Sequence, residues 1–202
     1  EYPKPSFDSY SSYSDFEYRR GSAYATVRWN LRDNIKLITG ANYARVSTDG
    51  VSYGEAKDTE TSKTTPFAGL TVDLDENYSA YASYGEIFSE QGQMDIDNQL
   101  VGPITGDSLE AGVKGEWLDG RLNASAALFK MNQNNLAEYA GYNPNTGLSY
   151  YRGEDASSEG IELTVAGALN DIWQVFGGYT HLNITGDGEQ DARTYVPRDM
   201  LR

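Results

Sequence analysis

Apolar and polar residues alternate in steps of two along much of the chain between Ser22 and Leu182. That is the period of a strand with one apolar side, because successive side chains on a strand point to opposite faces. Ala23, Ala25, Val27, Trp29 and Leu31 alternate with Ser22, Tyr24, Thr26, Arg28 and Asn30, and Arg32-Asp33-Asn34 follows as a turn. Ile35, Leu37, Thr39, Ala41 and Tyr43 continue the pattern, broken only by Ile38. It recurs at Ala68 to Leu74, Tyr78 to Tyr84, Leu109 to Trp117, Leu122 to Leu128, Ile161 to Leu169 and Trp173 to Tyr179. Asp75-Glu76-Asn77, Leu118-Asp119-Gly120 and Asn170-Asp171 separate the paired segments, residue types that suit tight turns. The pattern predicts about eight strands in four hairpins, each strand about ten residues long, the length a tilted strand needs to cross a bilayer.

The connections sort into two kinds. Those inside the hairpins are short, whereas those between them are long and polar: Ser47 to Thr65, Glu86 to Asp107, Asn132 to Ser158 and Asn183 to Thr194. Outer-membrane barrels sort their connections in this way, with short turns at the periplasm and long loops outside. Trp29, Tyr43, Tyr78, Trp117 and Trp173 lie near strand ends, where aromatic girdles form at a lipid boundary. The predicted fold is all-β: an antiparallel transmembrane β-barrel. Two other architectures share the alternation, a complete small barrel acting as an adhesin or structural protein and a soluble carbohydrate-binding β-sandwich.

Composition changes this picture little. The chain has 202 residues, with Tyr used 16 times and Gly 21 times, an enrichment that fits β-structure. Mean hydropathy is −0.61, which suits a barrel whose strands present only every second residue to lipid. Glu1-Tyr2-Pro3-Lys4-Pro5 does not read as a secretory signal. With no cysteine, thiolate catalysis and cysteine-ligated zinc are excluded. A formal net charge of −14 argues against nucleic acid as a partner.

Candidate chemistry is sparse. Glu110, Lys114, Glu116 and Glu162 fall on the polar side of their strands, the lumen of a barrel, and nothing selects a catalytic carboxylate pair among them. His181, the only histidine, is expected at the lumen-facing or rim end of a strand as a hydrogen-bonded residue, too isolated for a metal site or a triad. Asp187, Glu189 and Asp191 form an acidic loop whose spacing does not match a calcium loop. Asn123-Ala124-Ser125 and Asn183-Ile184-Thr185 are chance-level glycosylation sequons.

Several runs resemble TonB-dependent siderophore receptors. Thr65 to Phe88 (TPFAGLTVDLDENYSAYASYGEIF) and Leu109 to Lys130 (LEAGVKGEWLDGRLNASAALFK) look like mid-barrel hairpins of that family. Glu159-Gly-Ile-Glu-Leu163 and Gly178-Tyr-Thr-His-Leu182 fit the next hairpin in order. Val196-Pro-Arg-Asp-Met-Leu-Arg202 resembles the start of the following strand, with Asp199 where a basic residue or histidine is expected. The likeness covers most of the chain, nearest to receptors for ferric hydroxamate siderophores, coprogen and pyoverdine. It implies a 22-stranded barrel around a plug, which about eight strands cannot close, so that the chain would be a partial barrel. Residues 1–202 are then expected to be a fragment of the barrel domain, with no plug, no TonB box and no finished C-terminal strand.

The resemblance also implies a function: uptake of a ferric siderophore across the outer membrane of a Gram-negative bacterium, powered by the TonB complex through a segment outside these residues. No chemical step and no cofactor are expected, since iron arrives as a chelate that already satisfies the metal. Such a ligand calls for aromatic faces and hydrogen-bonding groups rather than metal ligands. Phe88, Gln91, Gln93, Tyr139, Tyr142, Tyr150 and Tyr151, all placed in the predicted long loops, are the candidates.

Overall fold

The computed structural model describes residues 14–52, 55–56, 58–186 and 196–202, so the acidic positions 187, 189 and 191 lie outside the described residues. Ten strands and no helix are present among the described residues. They are β1 (Ser14–Arg32), β2 (Ile35–Ser52), β3 (Glu55–Ala56), β4 (Thr59–Asp73), β5 (Tyr78–Ser89), β6 (Ile104–Trp117), β7 (Leu122–Asn143), β8 (Leu148–Ala168), β9 (Gln174–Gly186) and β10 (Asp199–Leu201).

Strand order follows chain order, β1-β2-β4-β5-β6-β7-β8-β9-β10, with β3 paired to β2 beside this path. All the described strands belong to one sheet, so the two packed sheets of a sandwich are not found among the described residues. Among these strands the path also does not return from the last to β1, as a closed small barrel would require. By compactness the chain divides into two units. One comprises the residues up to Ala23 together with Tyr43–Thr64, and the other comprises Tyr24–Asn42 and Thr65–Arg202.

The predicted turns form, each for a local reason. Asp75 Oδ1 accepts hydrogen bonds from the backbone N–H groups of Asn77 and Tyr78, both at 2.8 Å. Asn170 Oδ1 does the same for Ile172 at 2.9 Å and Trp173 at 2.8 Å. These are Asx turns, in which a short polar side chain stands in for a turn carbonyl. Leu118, Asp119 and Gly120 all take positive φ (58°, 56° and 81°), which lets β6 reverse into β7. Asp and Gly tolerate that conformation better than most residues, and Leu118 is the strained member.

Register sorts the side chains cleanly in the second unit. Directly opposed residues in an antiparallel pair share a side. Leu70, Ala82, Ala111, Leu128 and Ile161 are opposed in one continuous row from β4 to β8. Ala80, Val113, Ala126, Leu163 and Tyr179 form the next row toward the turns. Tyr78 and Trp117 pack edge to face with ring centroids 5.6 Å apart, an aromatic pair at the turn end of the apolar side. Gly115 lies beneath the Trp117 ring, where an added Cβ would collide with it.

Within this unit the apolar side carries exposed side chains. Leu128 is 63% exposed and Leu109 54%. Ala44 and Val46 are the only buried hydrophobic residues among those described. Each leucine left in water forgoes roughly 1.5–3 kcal/mol of burial. A sheet built with ordered rows of such residues requires an apolar medium on that side, which lipid supplies.

Strand length departs from the sequence expectation. In place of about ten residues, β7 has 22 and β8 has 21. The segment Asn132 to Ser158, expected as a long loop, is mostly the far end of this hairpin and turns only at Pro144–Gly147. Likewise β2 and β4 extend into the segment Ser47 to Thr65, and the β5–β6 connection shrinks to Glu90–Pro103. The cause is physical: beyond the bilayer both sides are wet, so backbone pairing continues without any alternation to announce it.

Candidate functional site

The far end of the β7–β8 hairpin and the β5–β6 connection form one hydrogen-bonded assembly. At Asn135, φ is +63° and the β7–β8 register shifts between Gln133 and Leu136, so β7 carries a bulge there. Asparagine is among the few residues with a side chain that enter this region readily. The bulge turns the Asn135 side chain toward the connection, where Nδ2 donates to the carbonyls of Val101 (2.9 Å) and Pro103 (3.1 Å). Its backbone N–H donates to Asp155 Oδ1 at 2.8 Å. Gly153 makes room, since an added Cβ would collide with the Asn135 side chain.

Gln91 closes the assembly from the other side. Its Nε2 donates to the carbonyls of Gly102 (2.7 Å) and Asn135 (2.5 Å), and its Oε1 accepts from the N–H of Ala137 at 2.9 Å. β6 begins at Ile104, opposite the region just before Asn135, so Ala137 has no strand partner on that edge. The Gln91 amide takes the place of the missing strand, satisfying backbone groups that would otherwise lack partners. Two further bonds carry the connection across the hairpin, Tyr151 N–H to Met94 O at 2.8 Å and Asn143 Nδ2 to Ile96 O at 3.0 Å. Gln93 Oε1 is buried and has no hydrogen-bond partner among the described residues.

Alternation then divides the candidate residues by side. Both β7–β8 register shifts add their extra residue on β7, so the alternation of β8 runs unbroken. Tyr150 falls on the side of Glu162 and Thr164, the polar side, opposite Gly141. Tyr151 falls on the other side with Tyr139, their rings edge to face at 6.2 Å, and Tyr142 shares that side through its pairing with Ser149. Phe88 pairs with Thr105 on the side of Tyr84 and Leu109. The four tyrosines expected in a loop thus stand on strands. Asn135, Asp155 and the ion pair of Arg152 with Glu154 were not visible in the sequence as a unit. The one signal was Asn134-Asn135, a pair prone to positive φ inside a strand.

Nearer the turns the polar side carries its own network. Tyr81 donates to Glu110 at 2.5 Å, and Lys114 Nζ sits 4.6 Å from the Tyr81 ring centroid. Ser125 and Thr164 share a hydrogen bond of 2.6 Å. Charged residues on this side face away from the apolar rows, as a water-filled or protein-filled lumen requires. His181 differs from expectation: it pairs directly with Ile161 and Asp199, which puts it on the apolar side rather than toward a lumen. Its environment is still polar, because Asp199 accepts from His181 Nδ1 at 2.8 Å and from Tyr179 at 2.7 Å. The residue that departs from the family pattern thus finds its histidine partner on the neighbouring strand.

Within the smaller unit a cavity of about 580 Å³ is lined by Arg19, Arg45, Asp49, Asp58 and Glu60 among others. Its arginines are already engaged: Arg19 with Glu17 at 2.9 Å and Asp49 at 3.3 Å, and Arg45 with Glu60 at 2.5 Å. Donation to Glu17 and Glu60 raises the pKa of the Arg19 and Arg45 guanidiniums, respectively, above the ordinary value. The cavity contains none of the candidate residues. Its two arginines face three lining carboxylates, so it offers an incoming anion no unpaired positive charge.

The model of the TonB dependent receptor-like β-barrel family matches residues 2–202. The chain belongs to this family. It is 36% identical over 205 residues to the ferripyoverdine receptor of Pseudomonas aeruginosa, a match covering 98% of this chain and 25% of that protein. The ferrioxamine B receptor of Salmonella typhimurium is 27% identical over 83% of the chain and 24% of its own length. Among solved structures, the P. aeruginosa pyoverdine outer membrane receptor bound to pyoverdine matches with a TM-score of 0.86 at 35% identity, covering 98% of this chain and 29% of the other. The alcaligin outer membrane receptor of Bordetella pertussis gives a TM-score of 0.77 at 33% identity, covering 93% and 34%. The chain spans about a quarter of the length of the curated relatives it matches. The family is one of transport receptors.

Proposed function

We propose that residues 1–202 form part of the barrel wall of an outer-membrane receptor that takes up a ferric siderophore. Energy would arrive from the TonB complex through a segment outside this chain, and iron would enter as a finished chelate. The observation that carries the reading is the two-sided sheet: ordered apolar rows on one side and charged and polar residues on the other, within a family whose relatives are named for ferripyoverdine and ferrioxamine B. Outer-membrane lipid is the partner of the apolar side.

Of the seven candidate residues, Tyr150 has the best support as a chelate contact, because it shares the polar side that continues the lumen. Gln91 has a structural role that occupies both ends of its amide. Phe88, Tyr139, Tyr142 and Tyr151 support the hairpin from its other side, and Gln93 has a buried acceptor in need of a donor. The test is growth of a siderophore-receptor-deficient Gram-negative host on ferric siderophores, with the full receptor supplied. Growth that requires both the receptor and a working TonB supports the reading. A receptor that restores no ferric chelate uptake while assembled in the membrane would overturn it.

A further inference from the structure

The lipid-facing side of the β7–β8 hairpin changes character in zones as it leaves the bilayer. Leu128 and Ile161 end its apolar rows, and Lys130 opposite Glu159 is the next pair on that side. One row further out, Asn132 Nδ2 donates to Asp107 Oδ2 at 3.1 Å, and Ser157 Oγ donates to Asn132 Oδ1 at 3.0 Å. Register sets Asp107, Asn132 and Ser157 in one row, so they form a polar band along the same side. Small residues follow, Ala137 opposite Gly153, and then Tyr139 opposite Tyr151, with Tyr142 opposite Ser149 last.

These three tyrosines face away from the lumen. β8 alternates without a break between Ile161 and Tyr151, so Tyr151 keeps the side that meets lipid lower down. Tyr139 is 63% exposed and Tyr142 60%, and the edge-to-face contact with Tyr151 holds the Tyr139 ring in place. At about 3.3 Å per residue and a strand tilt of about 40°, Tyr151 stands roughly 25 Å beyond the Ile161 row. A face at that height is past acyl chains and lipid phosphates. It meets what the outer leaflet carries above them, the sugars of lipopolysaccharide.

We propose that this outward face docks the core sugars of lipopolysaccharide, with Tyr139 and Tyr142 stacking on sugar rings and the Asn132–Ser157 band bonding those nearest the lipid. Continuity supports it: the face extends the lipid-facing rows without interruption, and its chemistry follows the order acyl chain, charged headgroup, sugar. A sugar ring has a face of C–H groups, apolar and weakly positive, that packs on the negative face of an aromatic ring. Tyrosine hydroxyls at the ring edge then meet sugar hydroxyls. Lys130 is faced by Glu159, so that row has no net charge to draw phosphate, and the selectivity falls to the sugars. This inference rests on the outer-membrane reading above and is independent of which chelate is carried.

The test titrates the purified full receptor with lipopolysaccharide carrying a complete core and with lipopolysaccharide trimmed to its innermost sugars, bound molecules being counted by native mass spectrometry. Tyr139→Ser combined with Tyr142→Ser should weaken binding of the complete-core form about tenfold and of the trimmed form less than about twofold. Tyr142→Ser alone, outside the edge-to-face pair, should weaken the complete-core form about threefold, and Tyr142→Phe should bring binding back to within about twofold. Leu148→Ser, near the hairpin tip on the polar side, should change neither. A double-variant effect below about twofold, an equal loss on both forms, or an equal loss from Leu148→Ser would each overturn the proposal and leave the siderophore reading standing. Binding of neither form by the folded receptor would overturn it too and count against the outer-membrane reading beneath it.

Discussion

The two ends of the β6–β7–β8 sheet are stabilised in different ways. Toward the turns, Ala126, Val113 and Leu163 lie in one row, and order comes from what surrounds the sheet. One side must be apolar because lipid meets it, and the other polar because it does not. Toward the hairpin tip that constraint is gone, and specific polar bonds replace it: Gln91 to three backbone groups, Asn135 to Val101 and Pro103, and Arg152 to Glu154. The near end tolerates many sequences that keep the alternation. The far end depends on a few residues whose loss leaves buried backbone groups unpaired.

The largest expected effect breaks the near end by moving one charge between adjacent residues. Ala126→Arg puts a guanidinium on the apolar side and should cost roughly 2–4 kcal/mol. Ala127→Arg, on the side of Glu162, should cost less than about 1 kcal/mol. Unfolding of the full receptor from lipid vesicles by denaturant measures both. Equal costs would mean that the two sides meet the same medium.

A smaller effect sharpens the far end. Gln91→Ala removes three hydrogen bonds but leaves the apolar rows intact. It should loosen the Glu90–Pro103 connection by about 1–2 kcal/mol, seen as hydrogen exchange at the Ala137 amide about tenfold faster or more. Exchange at Val113 and Leu163 should not change. Loosening spread along all of β7 would instead make the connection part of the spanning sheet's own stability.

The same contrast explains what could be read in advance. The strands bearing Leu70, Val72, Ala80 and Ala82 were visible because lipid imposes a period of two, and the turns at Asp75 and Asn170 were visible because their side chains make the turn. The extent of β7 and β8 was not visible, because Asn132 to Ser158 carries no alternation once both sides are wet. The division of Tyr150 from Tyr139 and Tyr151 depended on which strand carries the bulges, which neighbouring sequence does not declare. The sequence leaves His181 at the lumen-facing or rim end because its own strand alternates weakly there, and only its pairing with Ile161 fixes its side.

The sidedness of the sheet is the claim on which the rest depends, and residues 1–202 contain no cysteine to compete with a label placed among them. Single Leu163→Cys and Thr164→Cys variants of the full receptor, spin-labelled in lipid vesicles, report whether each neighbouring position meets dissolved oxygen from the bilayer or a water-soluble relaxation agent. The label at 163 should collide with oxygen and the label at 164 with the aqueous agent or with neither. The reverse, or equal oxygen access at both positions, would contradict the barrel-wall account.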